Sequence, residues 1–203
     1  DLVRDSRHGQ DILHRNVQKA ADLVRDFKQV AIDQTTDQRR AFDLAQVIED
    51  VLVMVEPRFK HTPYVIKTEL EAGLHMDSFP GSLGQVLTNL LMNTLVHAFD
   101  GRADGTVRVM CRAVSSLEVE LQVIDDGRGM DENVRRRIFD PFFTTKLGTG
   151  GSGLGMHIVH NIVTNVLGGV IDVRSTPGQG TCMTIRLPSV APYRTGSDRP
   201  EAV

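Results

Sequence analysis

Residues 121–156 read LQVIDDGRGMDENVRRRIFDPFFTTKLGTGGSGLGM, and this stretch restricts the possible folds more than any other. Leu121, Val123 and Ile124 form an apolar run closed by Asp125, so a buried strand would deliver that carboxylate to a pocket floor. Gly127 and Gly129 follow, where the lack of a Cβ lets the backbone come close to a flat ring. Beyond a Phe-rich hinge, Gly151, Gly153 and Gly155 open the apolar helical run at 154–159. Unpaired amides at such a helix start favour phosphate through hydrogen bonds and the helix dipole. Either glycine cluster alone would equally fit a surface turn. Two further segments, one on each side, give the pair its meaning.

Upstream, residues 83–99 read LGQVLTNLLMNTLVHAF. Leu83, Val86, Leu87, Leu90, Leu91 and Leu95 recur at helical spacing and make one apolar face. Asn89 and Asn93, four apart, share another face, and His97 continues their row. Asn is a poor helix former that competes for backbone hydrogen bonds, so an aligned pair in mid-helix needs a reason. Their carbonyl oxygens are hard ligands suited to Mg²⁺ held between phosphates. Downstream, Pro177-Gly178-Gln179-Gly180-Thr181 separates strand-like runs at 170–174 and 182–187, a hairpin that could set the Thr181 hydroxyl beside Asp125.

The ordered set NLLMN, DDGRG, FDPFFTTK, GGSGLGM and GQGT closely resembles the catalytic ATP-binding domain of bacterial sensor histidine kinases, over roughly residues 43–188. The resemblance implies the Bergerat-type ATP-binding fold, with ATP and Mg²⁺ as cofactors. It implies that Asn93 chelates Mg²⁺ while Asn89 supports the phosphates. Asp125 would accept the adenine amino group, Gly127 and Gly129 would line the base, and Thr181 would hold a water beside Asp125. Phe139, Phe142 and Phe143 would anchor a mobile lid spanning 130–150, and Gly151, Gly153 and Gly155 would wrap the phosphates. Met130, Thr144, Thr145, Lys146, Ser152 and Leu154 join the nucleotide-binding set by the same resemblance. The chain departs from the family where Thr94 replaces the usual Ala, Val96 is apolar, and Met156 stands where Leu is commoner. His97 is then the nearest side chain for a nucleotide or phosphate contact.

Gyrase-type, mismatch-repair and heat-shock-chaperone ATPases resemble the same boxes, but they place a Glu four residues before the metal-binding Asn. Here that residue is Asn89, a carboxamide that cannot act as a general base near neutral pH. The expectation is therefore phosphoryl donation to a separate acceptor, resting on positioning and electrostatics. The alternatives are a hydrolysing ATPase of the gyrase type and a degenerate nucleotide-sensing scaffold.

Family acceptor histidines precede an acidic residue, with Pro a few residues on. The histidines here, at 8, 14, 61, 75, 97, 157 and 160, lack that context. The phosphoacceptor helix is thus expected to precede Asp1, and the chain alone is expected not to autophosphorylate.

Leu13, Val17, Ala20, Val24, Phe27 and Ala31 alternate spacings of four and three, a heptad seam that needs a partner helix. By the resemblance, residues 1–40 are the second helix of the dimerisation and phosphotransfer domain plus a polar hinge at 33–42. They imply a homodimer in the full-length protein and a response regulator receiver domain as partner. Residues 41–188 form the catalytic ATP-binding domain, and 189–203 are a polar tail expected to be disordered. Helices at 43–56, 83–99 and 153–167 are expected on one face of a mixed sheet of about five strands, a two-layer α/β sandwich preceded by a long helix. The first of these helices should stop near Pro57. Strands are expected at 65–70, 106–113, 117–125 and in the final hairpin.

A net charge of −3 with interspersed signs argues against nucleic acid as partner. Cys111 and Cys182 lie in strand-like runs and read as small buried apolar side chains without metal spacing. No apolar run approaches the roughly 18 residues of a membrane span, which predicts no membrane contact. The expected location is the cytoplasm, including the cytoplasmic part of a membrane-anchored kinase.

Overall fold

The computed structural model describes residues 38–146 and 152–192. The heptad seam, the acceptor context of His8 and His14, and Gly151 lie outside the described residues.

The first long helix, α1 (Leu44–Phe59), starts where Asp43 caps it: Oδ1 accepts from the Ala45 and Gln46 amides at 2.9 and 3.3 Å. It buries Leu44, Ile48, Val51, Val55 and Phe59. Pro57 does not stop it. The ring falls in the last turn, where it removes one backbone bond only, and Lys60 N–H still reaches Glu56 O at 2.9 Å.

Helix α2 (Pro80–Asn93) opens with Pro80 in the first turn, three residues before the expected start, and buries Leu83, Val86, Leu87, Leu90 and Leu91. Its end is not α-helical. Residues Thr94–Ala98 form a π-helical turn closed by Phe99 N–H donating to Thr94 O at 3.3 Å. The Thr94 hydroxyl donates back to Leu90 O at 3.2 Å, a side-chain bond of the kind that bends a helix. Helix α3 (Glu132–Arg137) is short. Helix α4 (Gly155–Asn161) also runs into a π-helical turn, Ile162–Val166.

The main sheet has strands β2 (Tyr64–Leu70), β4 (Gly105–Ser115), β5 (Glu118–Asp125), β6 (Val170–Ser175) and β7 (Thr181–Pro188), ordered β2-β4-β5-β7-β6. Only β2 and β4 pair in parallel, so the sheet is mixed as expected. Period-two alternation sends Val107, Val109, Cys111, Val119, Leu121, Val123, Met183, Ile185 and Leu187 into one core with the helices. Cys182 departs from its expectation. It is half-buried, in an alternate position to the core residues, with Sγ 3.6 Å from the Thr184 hydroxyl. On that same open face Glu120 is 3 % exposed between Arg112 and Arg186, which hold its carboxyl below the ordinary value.

Two strands were not foreseen. β1 (Arg40–Asp43) takes up part of the expected hinge and pairs antiparallel with β3 (His75–Ser78). Arg39 adds a bidentate pair to Asp77 at 2.9 Å for both bonds. The stretch expected to be disordered from Ser189 begins inside the fold. Asp77 N–H donates to Ser189 O and Ala191 N–H to Asp77 O, at 2.8 and 2.9 Å, and Ala191 is buried. Residues 193–203 lie outside the described residues.

Candidate functional site

A cleft of about 510 Å³ opens between α2, α4 and the sheet end that carries Asp125. Asp125 is the last residue of β5, on the core-facing side, and it is 8 % exposed. Its Oδ1 accepts the Gly127 N–H at 2.9 Å and the Thr181 N–H at 3.2 Å. Oδ2 has no hydrogen-bond partner among the described residues. Burial pushes the Asp125 carboxyl up to about 6, against the pull of those two amides.

Thr181 is the register partner of Asp125, and its backbone N–H makes the direct bond to the carboxylate. Its hydroxyl lies 3.0 Å from the Ser175 hydroxyl. The two glycines of DDGRG are also closely packed by protein. A Cβ on Gly127 would meet Ala98 and Asp125 Oδ1, and one on Gly129, where φ is +65°, would meet the Thr176 carbonyl. These positions are small because protein packs against them; Gly129 lines the cleft as well.

The opposite wall is a polar row on α2 and its π turn: Gln85, Asn89, Asn93 and His97 all line the cleft. Nδ2 of Asn89 and Nδ2 of Asn93 are buried without a partner among the described residues. Such atoms are costly unless a ligand completes them. Amide O and N exchange by a flip, so either residue can present its carbonyl oxygen to the cleft. A hard-oxygen donor facing an unfilled polar position fits Mg²⁺. Gly155 lies across from it, where a built Cβ would stand 4.0 Å from both amide atoms of Asn93.

His97 is half-buried. Its ring is held below the ordinary histidine value by burial first, and then by the Lys146 and Arg128 charges. Nδ1 is 3.5 Å from the Thr145 hydroxyl. Lys146 turns away from the cleft: Nζ donates to Val96 O at 2.6 Å and sits 3.0 Å from Asp100 Oδ2. It fastens this side of the expected lid to the end of the α2 row.

The structure thus brings Asn89, Asn93, His97, Asp125, Gly129, Met130, Phe143, Thr144, Thr145, Ser152, Gly153, Gly155 and Thr181 around one cleft. Gly127, Phe139, Phe142, Lys146 and Leu154 flank it without lining it. Phe139 packs against the core, and Phe143 lines the cleft beneath the Arg137 guanidinium at 4.5 Å. Phe142 does neither. It is 65 % exposed with a left-handed φ of 63°, because the backbone reverses there against Gly153. Several lining residues escaped the sequence reading, Gln85 and Arg128 among them. Gln85 extends the asparagine row by one more step of four, a signal that was available, and Arg128 brings a cation from between the two glycines.

Residues 80–191 match the family described as histidine kinase-, DNA gyrase B-, and HSP90-like ATPase. Sensor histidine kinase AruS of Pseudomonas aeruginosa is 35 % identical over 170 residues, 79 % of this chain and 17 % of AruS. The signal transduction histidine-protein kinase AtoS of Escherichia coli is 34 % identical over 146 residues, 71 % of this chain and 23 % of AtoS. The chain therefore spans about a fifth of these relatives. Among solved structures, the catalytic domain of histidine kinase ThkA superposes with a TM-score of 0.66 at 26 % identity, over 75 % of this chain and 97 % of that one. Full-length ShkA in complex with AMPPNP gives 0.66 at 25 % identity, over 82 % of this chain and 35 % of ShkA.

Proposed function

The chain belongs to the histidine kinase-, DNA gyrase B- and HSP90-like ATPase family, in the branch of the sensor histidine kinases, and from that membership we propose that its cleft binds Mg²⁺-ATP and donates the γ-phosphoryl group to a histidine. The phosphoryl group then passes to the receiver domain of a response regulator. Pairing of two copies through the heptad seam at Leu13–Ala31, and a cytoplasmic location, belong to the same proposal and rest on the sensor-kinase relatives. Among the described residues no helix is long and apolar enough to cross a membrane.

The observation that supports donation over hydrolysis is where the carboxylates lie. Among the described residues lining the cleft there are two, Asp125 and Asp131. Asp125 is tied by two backbone amides at the sheet end. Asp131 caps α3, accepting the Val134 N–H at 2.8 Å. The α2 row facing the glycines carries carboxamides and an imidazole, so no carboxylate there can deprotonate a water. Asp125 Oδ2 would accept the adenine amine. Asn93, with Asn89 beside it, would hold Mg²⁺, which when bound offsets charge on the transferring phosphoryl group. The chain's own task is to place that group and keep water from it. The AMPPNP bound by ShkA supports a nucleotide in this cleft. Gyrase-type hydrolysis is not favoured.

Titration calorimetry with Mg²⁺-ATP, followed by γ-labelled ATP with and without a sensor-kinase acceptor domain, tests this. The expected result is binding, very slow hydrolysis by the chain alone, and an acid-labile, base-stable phosphohistidine on the acceptor. Turnover by the chain alone at about 1 s⁻¹ or faster, within the ordinary enzyme range, would overturn the donor reading. Asn93→Ala should weaken Mg²⁺-ATP far more than adenosine. Equal weakening of both ligands would remove Asn93 as the metal ligand.

A further inference from the structure

Helix α4 carries two histidines on one face, and both meet the same residue of the lid base. The His157 Nδ1 lies 3.1 Å from the Phe139 carbonyl oxygen, and the His160 ring sits 5.4 Å from the Phe139 ring. A carbonyl only accepts, so Nδ1 must carry the proton. The other ring nitrogen, Nε2, faces Asn161 Nδ2 at 3.0 Å and accepts from it. Asn161 stands one turn further along the helix and fixes the tautomer.

This bond occupies a singular place. From Ile138 to Thr144 the other hydrogen bonds outside helix α3 are local ones: Asp140 N–H to Arg137 O, Phe143 N–H to Asp140 O, Arg137 Nε to Asp140 Oδ2 and Lys146 N–H to Thr144 Oγ1. Among the described residues, His157 makes the one hydrogen bond that ties this segment to the rest of the domain. It does so from a helix whose first residue, Gly155, faces Asn93 across the cleft. The lid base and the glycines that face the asparagine row are therefore set in one frame.

We propose that His157 is a positioning residue for phosphoryl donation: its ring donates to the Phe139 backbone carbonyl and so fixes the lid base relative to the glycine end of α4. The proposal rests on the nucleotide-binding reading. His157 does not line the cleft and touches no reacting group. Its effect is on how the lid segment meets the phosphates, not on the adenine end. Loss of the bond should weaken a triphosphate and spare a nucleoside.

The first test uses the unaltered chain. Long-range ¹H–¹⁵N correlation at mildly alkaline pH should show His157 protonated at Nδ1 and bare at Nε2; the opposite tautomer overturns the proposal. The second uses His157→Phe, which keeps a ring and loses the donor, and His157→Asn, which keeps an N–H donor at the position of Nδ1. His157→Phe should raise the Kd for Mg²⁺-ATP about three- to tenfold, leave adenosine within about twofold, and speed amide exchange over residues 139–144 in the nucleotide-bound state. His157→Asn should recover most of both effects. Two variants that match the parent, or that are impaired equally for ATP and adenosine, would sink the idea. Should His157→Phe fail to fold, the tautomer and His157→Asn still decide. A parent chain that binds no ATP would strike the functional reading and leave the tautomer result standing.

Discussion

Thr181 stands directly across the β5–β7 ladder from Asp125 and offers it a backbone N–H at 3.2 Å, while its hydroxyl turns to Ser175. With Gly127 on the same oxygen, Oδ1 is committed to the protein and Oδ2 is left to face the cleft. The carboxylate is oriented by main chain alone, so its aim does not depend on the choice of neighbouring side chains.

Asp125→Asn should weaken ATP binding by about 1.5–3 kcal/mol through loss of a charge-assisted bond to the adenine amine. The parent should also reject GTP, which carries a carbonyl where ATP carries that amine. Titration calorimetry giving equal ATP and GTP affinities would remove Asp125 as the base acceptor.

The same carboxylate should make binding and stability respond oppositely to pH. Its folded-state value is raised from 3.8 to about 6, so the folded chain holds this proton more tightly than the unfolded chain. Its contribution to stability is present in full below 3.8 and is lost as pH rises through 6. Above that, the buried charge costs on the order of 3 kcal/mol. Free of ligand, Asp125→Asn should melt higher than the parent at neutral pH, with the gap closing as pH falls towards 5. Adenosine affinity should fall over that same range as the acceptor is protonated. Adenosine is the proper probe, since a terminal phosphate titrates nearby. A flat adenosine profile would contradict the assignment.

Lys146 should be felt at His97. The ammonium fastened to Val96 O and Asp100 helps hold the ring below the ordinary value, second to burial. Lys146→Met should move the His97 titration upward, as seen in the ring proton signals by NMR. An unmoved titration would mean that Lys146 does not rest at this position in solution.

Ending the chain after Pro188 should destabilise it. The cut removes Ser189 N–H to Leu117 O at 2.8 Å, both backbone bonds to Asp77, and the buried Ala191. Net hydrogen-bond values suggest about 1–3 kcal/mol, a drop of several degrees in Tm for a domain of this size. An unchanged Tm would show that residues 189–192 do not hold to the sheet.

The sheet and its helices were legible because their side chains follow clean periods over long runs: β4, β5 and β7 alternate, and α2 keeps one leucine face. β1 and β3 were not. RAFD and HMDS are four residues each and rich in charge, too short to show a period, and they form only by meeting each other across the chain. The π-helical turns escaped for a related reason, since a one-residue slip in hydrogen bonding leaves the apolar pattern nearly intact. In the cleft, residue types that announce chemistry were readable: Asn89, Asn93, Asp125. What sequence could not divide was the glycines' work. Gly127 is closed in by Ala98, and Gly129 both lines the cleft and leaves room for the Thr176 carbonyl, which only the neighbours reveal.

The chain enters the described fold and leaves it at the same corner. Arg39 and β1 grip β3 from one side, and Val190 bridges to Asp77 in parallel, so a single four-residue strand holds both passages. A tug applied through either passage is taken up at Asp77 and its neighbours, well away from the Asp125 end of the sheet. Both passages are thus set at the far end of β5 from the cleft, where Ser189 N–H meets Leu117 O.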